Sequence, residues 1–411
     1  MFQASIDDIA RDRTMPSESP PRVSIVTTKP VMLPDFTAAR RLPTRPEQHR
    51  DADFDAKYDA ETLFYDAFFD GPRRVVLVGP PFLNLKADIE RMTLVARPSG
   101  TACRFRVREL DRHGQVHVDV PEGTVSLELQ AAFGTTDIAV SPGETALFAG
   151  RRVLFTQSKN NRLAWIQDWI RFSRDVHGAD AVLIYDNGST TYSLDALAEA
   201  VAALDGIKVA RIVAWPYKFG PQGFDAWSFW DSDYGQHGVW EHGRRRFLAA
   251  AASVQCSDVD EMILSADGRS IFEAAERHPF GVLRYYGRWV IGLDGEAPAP
   301  DKGDKRHLDY HVVRRERPEK RFGLFTIDGD RCPAKWTIVP SKCPPDAQWR
   351  IHVIGGQPTA RLTTRRFTYR HFREISDSWK YSRVGREPFD PARHEREKLL
   401  ADHMARVRWD A

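Results

Sequence analysis

From Arg151 onward the chain alternates short apolar runs with longer stretches whose apolar residues recur every three to four positions. Arg152 to Thr156, Ala181 to Tyr185 and Val209 to Trp215 are runs of the first kind, and they predict buried strands. Between the first two, Leu163, Ile166, Trp169, Ile170 and Val176 fall on one face of a helix. Ser193 stands where it can cap a second helix carrying Leu194, Leu197, Val201 and Leu204. A polar and aromatic loop over 216–235 leads into a helix ending near Ala252, and a further strand runs towards Asp258. Strand and helix in turn predict a parallel α/β sheet, whose ligands lie beyond the carboxyl ends of the strands.

The pattern differs on either side. Over 56–150 short runs alternate apolar and polar residues between Gly, Pro and Asp turns, at Arg74 to Gly79, Met92 to Ala96, Cys103 to Val107 and Val125 to Leu129. They predict a β-rich, sandwich-like module. Residues 1–55 show little periodicity and much Pro, Arg, Asp, Thr and Ser, so we expect a poorly ordered arm. After Asp258 the pattern is mixed, with strands expected over 280–291, 336–340 and 349–354 and a loop over 294–305. The α/β unit is expected to span 151–385, and a charged helical tail 386–411.

Composition narrows the function classes. A length of 411 residues suits two domains plus tails. With 59 basic and 57 acidic residues the net charge is +2, which gives no electrostatic case for nucleic acid. The four cysteines have no CxxC spacing and read as isolated thiols in a reducing cytoplasm. No stretch approaches the roughly 18 apolar residues of a membrane span. The expectation is a soluble, cytoplasmic chain that can visit the inner face of a membrane.

The densest chemistry is Ser253-Val254-Gln255-Cys256-Ser257-Asp258-Val259-Asp260-Glu261-Met262, a buried run ending in closely spaced carboxylates. Oxygen ligands two residues apart suit Mg²⁺ or Mn²⁺, with shell positions left for substrate phosphates. The plain alternative is a solvated acidic turn. Asp186, followed by Asn187-Gly188-Ser189, ends another strand and can accept from ribose hydroxyls or a base; a simple β-to-α turn is the alternative. Lys159 and Asn160 follow the first strand and could sit near a diphosphate, or be solvated residues ahead of a helix. Lys335 could neutralise phosphates and His352 could complete a metal shell, although a lone His on a strand is more often a rim residue. His371 lies in the basic run Tyr369 to Arg373, for which an exposed basic helix is the alternative. Trp215, Trp227, Trp230 and Trp289 could stack on sugar rings over the cleft, or serve as buried anchors.

The order of these pieces resembles the glycosyltransferases of family 92 and related family-2-like enzymes. It is carried by Lys159-Asn160, Trp165, Asp168-Trp169-Ile170, His177-Gly178, Ile184 to Ser189, Gln236, Asp258 to Met262, Lys335 to Pro340, His352, and His371 to Lys380. The resemblance covers roughly 151–385. It implies a GT-A-like mixed sheet, a nucleoside diphosphate sugar donor, a divalent metal (Mn²⁺ or Mg²⁺), and a glycan or glycolipid acceptor. By the same resemblance Asp186 contacts the nucleotide, with Lys159, Asn160, Asn187 and Gln236 around the donor. Asp258 and Asp260 hold metal and diphosphate, and Lys335 with His352 or His371 lines the phosphates. Asn161, Asp168 and Met262 stand where the family has Glu, Glu and Phe, and Gln255-Cys256 replaces a Trp-rich approach. Asp309 and Glu316 are open positions for a catalytic base, and nothing selects one. Two other classes compete: a nucleotidyltransferase with a paired-Asp metal site, and a non-catalytic carbohydrate-binding protein.

Overall fold

The computed structural model describes residues 22–221, 232–296, 305–321, 325–357, 359–375 and 385–410. It is a mixed α/β protein with one large mixed sheet and, among these residues, seven α-helices. Five parallel strands form one half of that sheet, in the order Val23–Thr27, Val209–Ala214, Ala181–Asp186, Arg152–Ser158 and Ser253–Cys256. Their central members are the apolar runs of the sequence, with Val153 to Phe155 and Ala181 to Tyr185 fully buried. The other half is built on Cys332–Ile338, antiparallel to Ser253–Cys256, and continues through Val282–Ile291, Val312–Arg314 and His394–Arg396. Phe367–Phe372 pairs in parallel with Val282–Ile291 and antiparallel with Glu261–Ser265.

Chain order runs from Arg152–Ser158 outward in one direction, then returns to place Ser253–Cys256 on its other side. The winding therefore reverses between these two strands, and open α/β sheets form their ligand crevice at such a reversal. Helix Leu163–His177 follows the first strand and buries Trp165, Ile166, Trp169 and Ile170. It stops at Gly178, whose φ of 77° closes the helix with backbone bonds to Ser173 and Arg174. Ser193 caps Leu194–Ala202 by accepting from the Ala196 amide at 3.1 Å, as its position predicts.

Residues 56–150 hold two four-stranded antiparallel sheets, Asp66–Phe69, Arg74–Gly79, His113–Asp119 and Phe105–Leu110 in one, and Gly134–Ala139, Ser126–Ala131, Thr93–Arg97 and Thr101–Ala102 in the other. Val75, Leu77, Val116 and Val118 of the first share a core with Leu94, Leu127 and Ile138 of the second. Val76 and Val78, on the opposite face of the first sheet, belong to a core shared with Phe155, Tyr185 and Trp240 of the α/β unit. The strict alternation of a strand thus feeds two cores at once. Helix Tyr234–Arg246 lies between module and sheet. A Cβ at Gly238 would meet the Tyr65 and Trp215 rings, and one at Gly243 the Phe155 ring. These glycines cost helix propensity, and they let the helix sit directly on aromatic neighbours.

Two expectations are corrected here. The described part of the arm expected over 1–55 is not poorly ordered: Val23–Thr27 adds a parallel edge strand to the main sheet, and Val31–Met32 pairs with Thr62–Phe64. Val23, Ile25 and Val26 suffice for an edge, but Pro and Arg around them mask the signal. The tail expected to be helical and separate begins instead with strand His394–Arg396, and its short helix Lys398–Met404 buries Leu400. Arg370 and Arg288 both reach Glu397, so the tail belongs to the α/β unit.

Three buried imidazoles couple this packing to pH. Burial lowers His177 and His237 from 6.5 to about 4, and His113 to about 3. His177 Nε2 lies 2.7 Å from the Ile263 carbonyl and its Nδ1 accepts from the Ile271 amide at 3.3 Å, an arrangement only a neutral ring satisfies. Below pH 6.5 the unfolded chain binds protons that these rings refuse, so the stability they contribute is complete above 6.5 and is lost as pH falls towards about 4. The urea midpoint is expected to drop through that window, with a shallower drop in His177→Gln. A midpoint flat from pH 7 to 4 contradicts the assignment.

Candidate metal and nucleotide site

The strand Ser253–Cys256 delivers the chain to the carboxyl edge of the sheet at this reversal, where a ligand crevice is expected, and a turn follows it in which the Glu261 amide donates to the Asp258 carbonyl at 3.0 Å. That turn, rather than strand alternation, gathers Asp258, Asp260 and Glu261. Its shape is held from outside. His307 Nε2 lies 2.9 Å from the Val259 carbonyl, the Phe372 amide donates to the Asp260 carbonyl at 2.9 Å, and the Trp169 indole donates to Ser257 Oγ at 3.1 Å. Arg306 reaches Asp168 on helix Leu163–His177 through two guanidinium nitrogens, which fixes the His307 segment against that helix.

Lys335 arrives from the antiparallel neighbour Cys332–Ile338. Its ammonium donates to Asp258 Oδ2 at 2.7 Å and lies 3.1 Å from Glu261 Oε2, with only 3% of the side chain exposed. Burial opposes the Lys335 charge, but Asp258 and then Glu261 outweigh it and hold its pKa well above the usual value. Glu261 also accepts from the Asp258 amide at 2.9 Å. Burial pushes Glu261 up to about 7, against the pull of Lys335 and with the push of Asp258.

His371 comes from Phe367–Phe372, whose register sets it opposite Glu261. Its Nε2 is 3.0 Å from Asp260 Oδ2 and its Nδ1 is 3.8 Å from Glu261 Oε1. Trp289 stacks on the imidazole, ring centroids 4.4 Å apart and planes 24° from parallel, and fixes its orientation. Asp260, Glu261 and His371 place one ligand atom each within 4.8 Å of one another, close enough to hold a metal ion together. Oxygen and imidazole donors of this kind suit Mg²⁺ or Mn²⁺. The cluster sets the carboxyl groups of Asp258, Asp260 and Glu261 against the ammonium of Lys335, an acidic excess that suits a cation.

The site expected from sequence is thus redistributed. Asp258 is a partner of Lys335 and remains about one third exposed at the crevice. Asp260 and His371 meet, and Glu261, read only as extra charge, joins them. His352 does not join this group: its Nδ1 lies 2.9 Å from the Ala334 carbonyl. In place of the exposed basic helix considered for 369–373, Tyr369 to Phe372 are buried in a strand. Arg370 explains the misleading composition, since its charge is buried against Glu397. Arg306, His307 and Asp168, which brace the turn, carry no local sequence signal of that role.

On the other side of the crevice, Asp186 Oδ1 accepts from the Ser189 amide at 2.8 Å, and Tyr192 hydroxyl lies 3.4 Å from Oδ2. Asn160, at φ 58°, accepts with Oδ1 from the Thr190 amide at 2.7 Å, while Asn187 donates to the Trp215 and Tyr217 carbonyls, each at 2.8 Å. Both asparagines fasten the loops that form the crevice wall. Lys159 is half-buried beside them. Gln236 lies half-buried in the first turn of Tyr234–Arg246. Trp215, considered for sugar stacking, is a buried anchor whose indole donates to the Gly235 carbonyl. Trp227, Trp230 and residues 376–380 lie outside the described residues. Asp309 is used locally, accepting from the Arg306 amide at 2.7 Å. No protein-family model matches the chain, and no curated protein sequence matches it.

Proposed function

We propose that the chain is a metal-dependent glycosyltransferase of GT-A-like architecture that moves a sugar from a nucleoside diphosphate sugar to a hydroxyl of a glycan or glycolipid. The observation that supports this reading best is the carboxylate cluster with its acidic excess at the reversal of the sheet, where α/β proteins bind nucleotides. In this reading Asp260, Glu261 and His371 hold the metal. Asp258 faces the open side, and Lys335 keeps the carboxylates from repelling one another apart. A bound divalent ion supplies Lewis-acid stabilisation of the departing diphosphate. Asp186, with its turn pinned by Ser189, lies where a nucleoside would be received on the opposite wall.

The test is thermal unfolding with nucleoside diphosphates and their sugars, each with and without Mn²⁺. Ligand at about a hundred times its Kd stabilises by about 2.7 kcal/mol, a shift readily measured. The expected result is a rise in Tm that needs both nucleotide and metal. A rise with nucleoside triphosphate accompanied by pyrophosphate release points to nucleotidyl transfer instead. Glycan binding without any nucleotide or metal response replaces the enzyme with a binding protein.

A further inference from the structure

At the far end of strand Glu261–Ser265 from Glu261, a second surface is built from residues the crevice does not use. Arg269, Glu273, Arg277, His278, Arg366 and Phe367 are among the residues that line a cavity of about 260 Å³, together with Pro279 and Thr364. Next to Pro279 and two residues before Thr364 stand exposed apolar side chains, Phe280 at 49% and Leu362 at 72% exposure. The two segments are tied to the rest of this face: Gln357 Nε2 donates to the Phe280 carbonyl at 2.8 Å, and the Thr364 amide to the Arg284 carbonyl at 2.8 Å. Ala360, 1% exposed, is buried in the core two residues before the exposed Leu362.

The charge on this surface is mostly positive. Of the cavity's arginines, Arg269 and Arg366 share Asp267 at 3.7 and 3.2 Å and Arg277 lies 3.8 Å from Glu273, while Arg284, Arg361 and Arg365 stand within three residues of the lining positions in sequence. That local excess is larger than the +2 of the whole chain, so it is a property of this face and not of the composition. Arginines around protruding Leu and Phe side chains match a bilayer interface, where headgroup phosphates meet the guanidinium groups and apolar tips enter the acyl boundary. An anionic polymer would use the arginines and leave Phe280 and Leu362 without purpose.

We propose that this face docks the protein on anionic phospholipid, with a headgroup phosphate in the Arg269–Arg277–Arg366 cavity and Leu362 and Phe280 inserted beside it. Ser265 and Glu261 are the two ends of one strand, roughly 13 Å apart at about 3.3 Å per residue, so docking leaves the carboxylate cluster uncovered. The proposal does not depend on the enzymatic reading.

The experiment is flotation of the full chain with vesicles of phosphatidylcholine alone and with part of it replaced by phosphatidylserine. Binding is expected only to the anionic vesicles and is expected to weaken with salt. Arg361→Gln/Arg365→Gln/Arg366→Gln should weaken it on the order of a hundredfold, at roughly fivefold per charge. Phe280→Ser/Leu362→Ser alters only exposed side chains and should weaken it at least about tenfold. No binding to anionic vesicles by the folded protein overturns the proposal. So does binding that the arginine variant loses, the apolar variant keeps, and heparin competes away, which assigns the face to an anionic polymer.

Discussion

Asp260→Ala is expected to reduce sugar transfer by a factor on the order of a thousand, equivalent to about 4 kcal/mol of barrier, while the protein stays folded. The carboxylate is one of three donors that meet within 4.8 Å, and its loss leaves two. Its removal has opposing effects on stability. His371 Nε2 loses a neighbour at 3.0 Å, but Glu261, pushed up to about 7 partly by the acidic groups around it, is relieved of a like charge. The net change in Tm should be small, and the rise in Tm that Mn²⁺ and nucleotide produce together should disappear. Two further variants separate the imidazoles: His371→Ala should lose the metal response, and His352→Ala, whose Nδ1 sits on the Ala334 carbonyl, should keep it. Full activity in folded Asp260→Ala removes the metal assignment, and loss of the response in His352→Ala alone moves it to the other side of Lys335.

Asp66→Ala is expected to destabilise the protein by about 3 to 5 kcal/mol, the usual consequence of stripping a buried charge of its partner. Asp66 is fully buried on a strand of the N-terminal module. Its Oδ2 accepts from Arg246 Nη1 at 2.7 Å and from His242 Nε2 at 3.0 Å, both on helix Tyr234–Arg246. His242 in turn has its Nδ1 2.6 Å from the Tyr185 hydroxyl on the parallel sheet. Burial lowers the His242 pKa, against the pull of Asp66, which keeps the ring neutral and able to bridge donor and acceptor. Alanine would leave the Arg246 guanidinium buried without this carboxylate, whereas Asp66→Asn retains an acceptor and should lose less. Urea unfolding of the two variants is the measurement. An Ala variant as stable as the parent would mean that module and α/β unit are held together by the apolar core alone.

The parallel half of the sheet was legible because its strands are buried on both faces and read as continuous apolar runs, separated by one amphipathic helix each. The N-terminal module was legible for the opposite reason, since its strands alternate. Val23–Thr27 was not, because an edge strand needs only a few apolar residues and these stand among Pro and Arg. The acidic turn could be found from Asp258 and Asp260, but the identity of the imidazole that meets it could not. His352 and His371 are equivalent as sequence. They differ only because Phe367–Phe372 pairs with Glu261–Ser265, across about a hundred residues of chain.

By itself the sequence determined the α/β class, the carboxyl-end position of Asp186 and Asp258, and the cap at Ser193, all of which follow from local periodicity and backbone preference. Tertiary structure alone decided that Glu261 turns back beside Asp260, that His371 joins them, and that Lys335 lies between Asp258 and Glu261. It also decided that Asn160 and Asn187 fasten loops, and that Arg370 is buried against the tail. The physical reason is the same in each case. Periodicity reports which face of an element is apolar, whereas the environment of a charged group depends on which distant strand lies beside it, and strand register is set by the packing of the whole sheet.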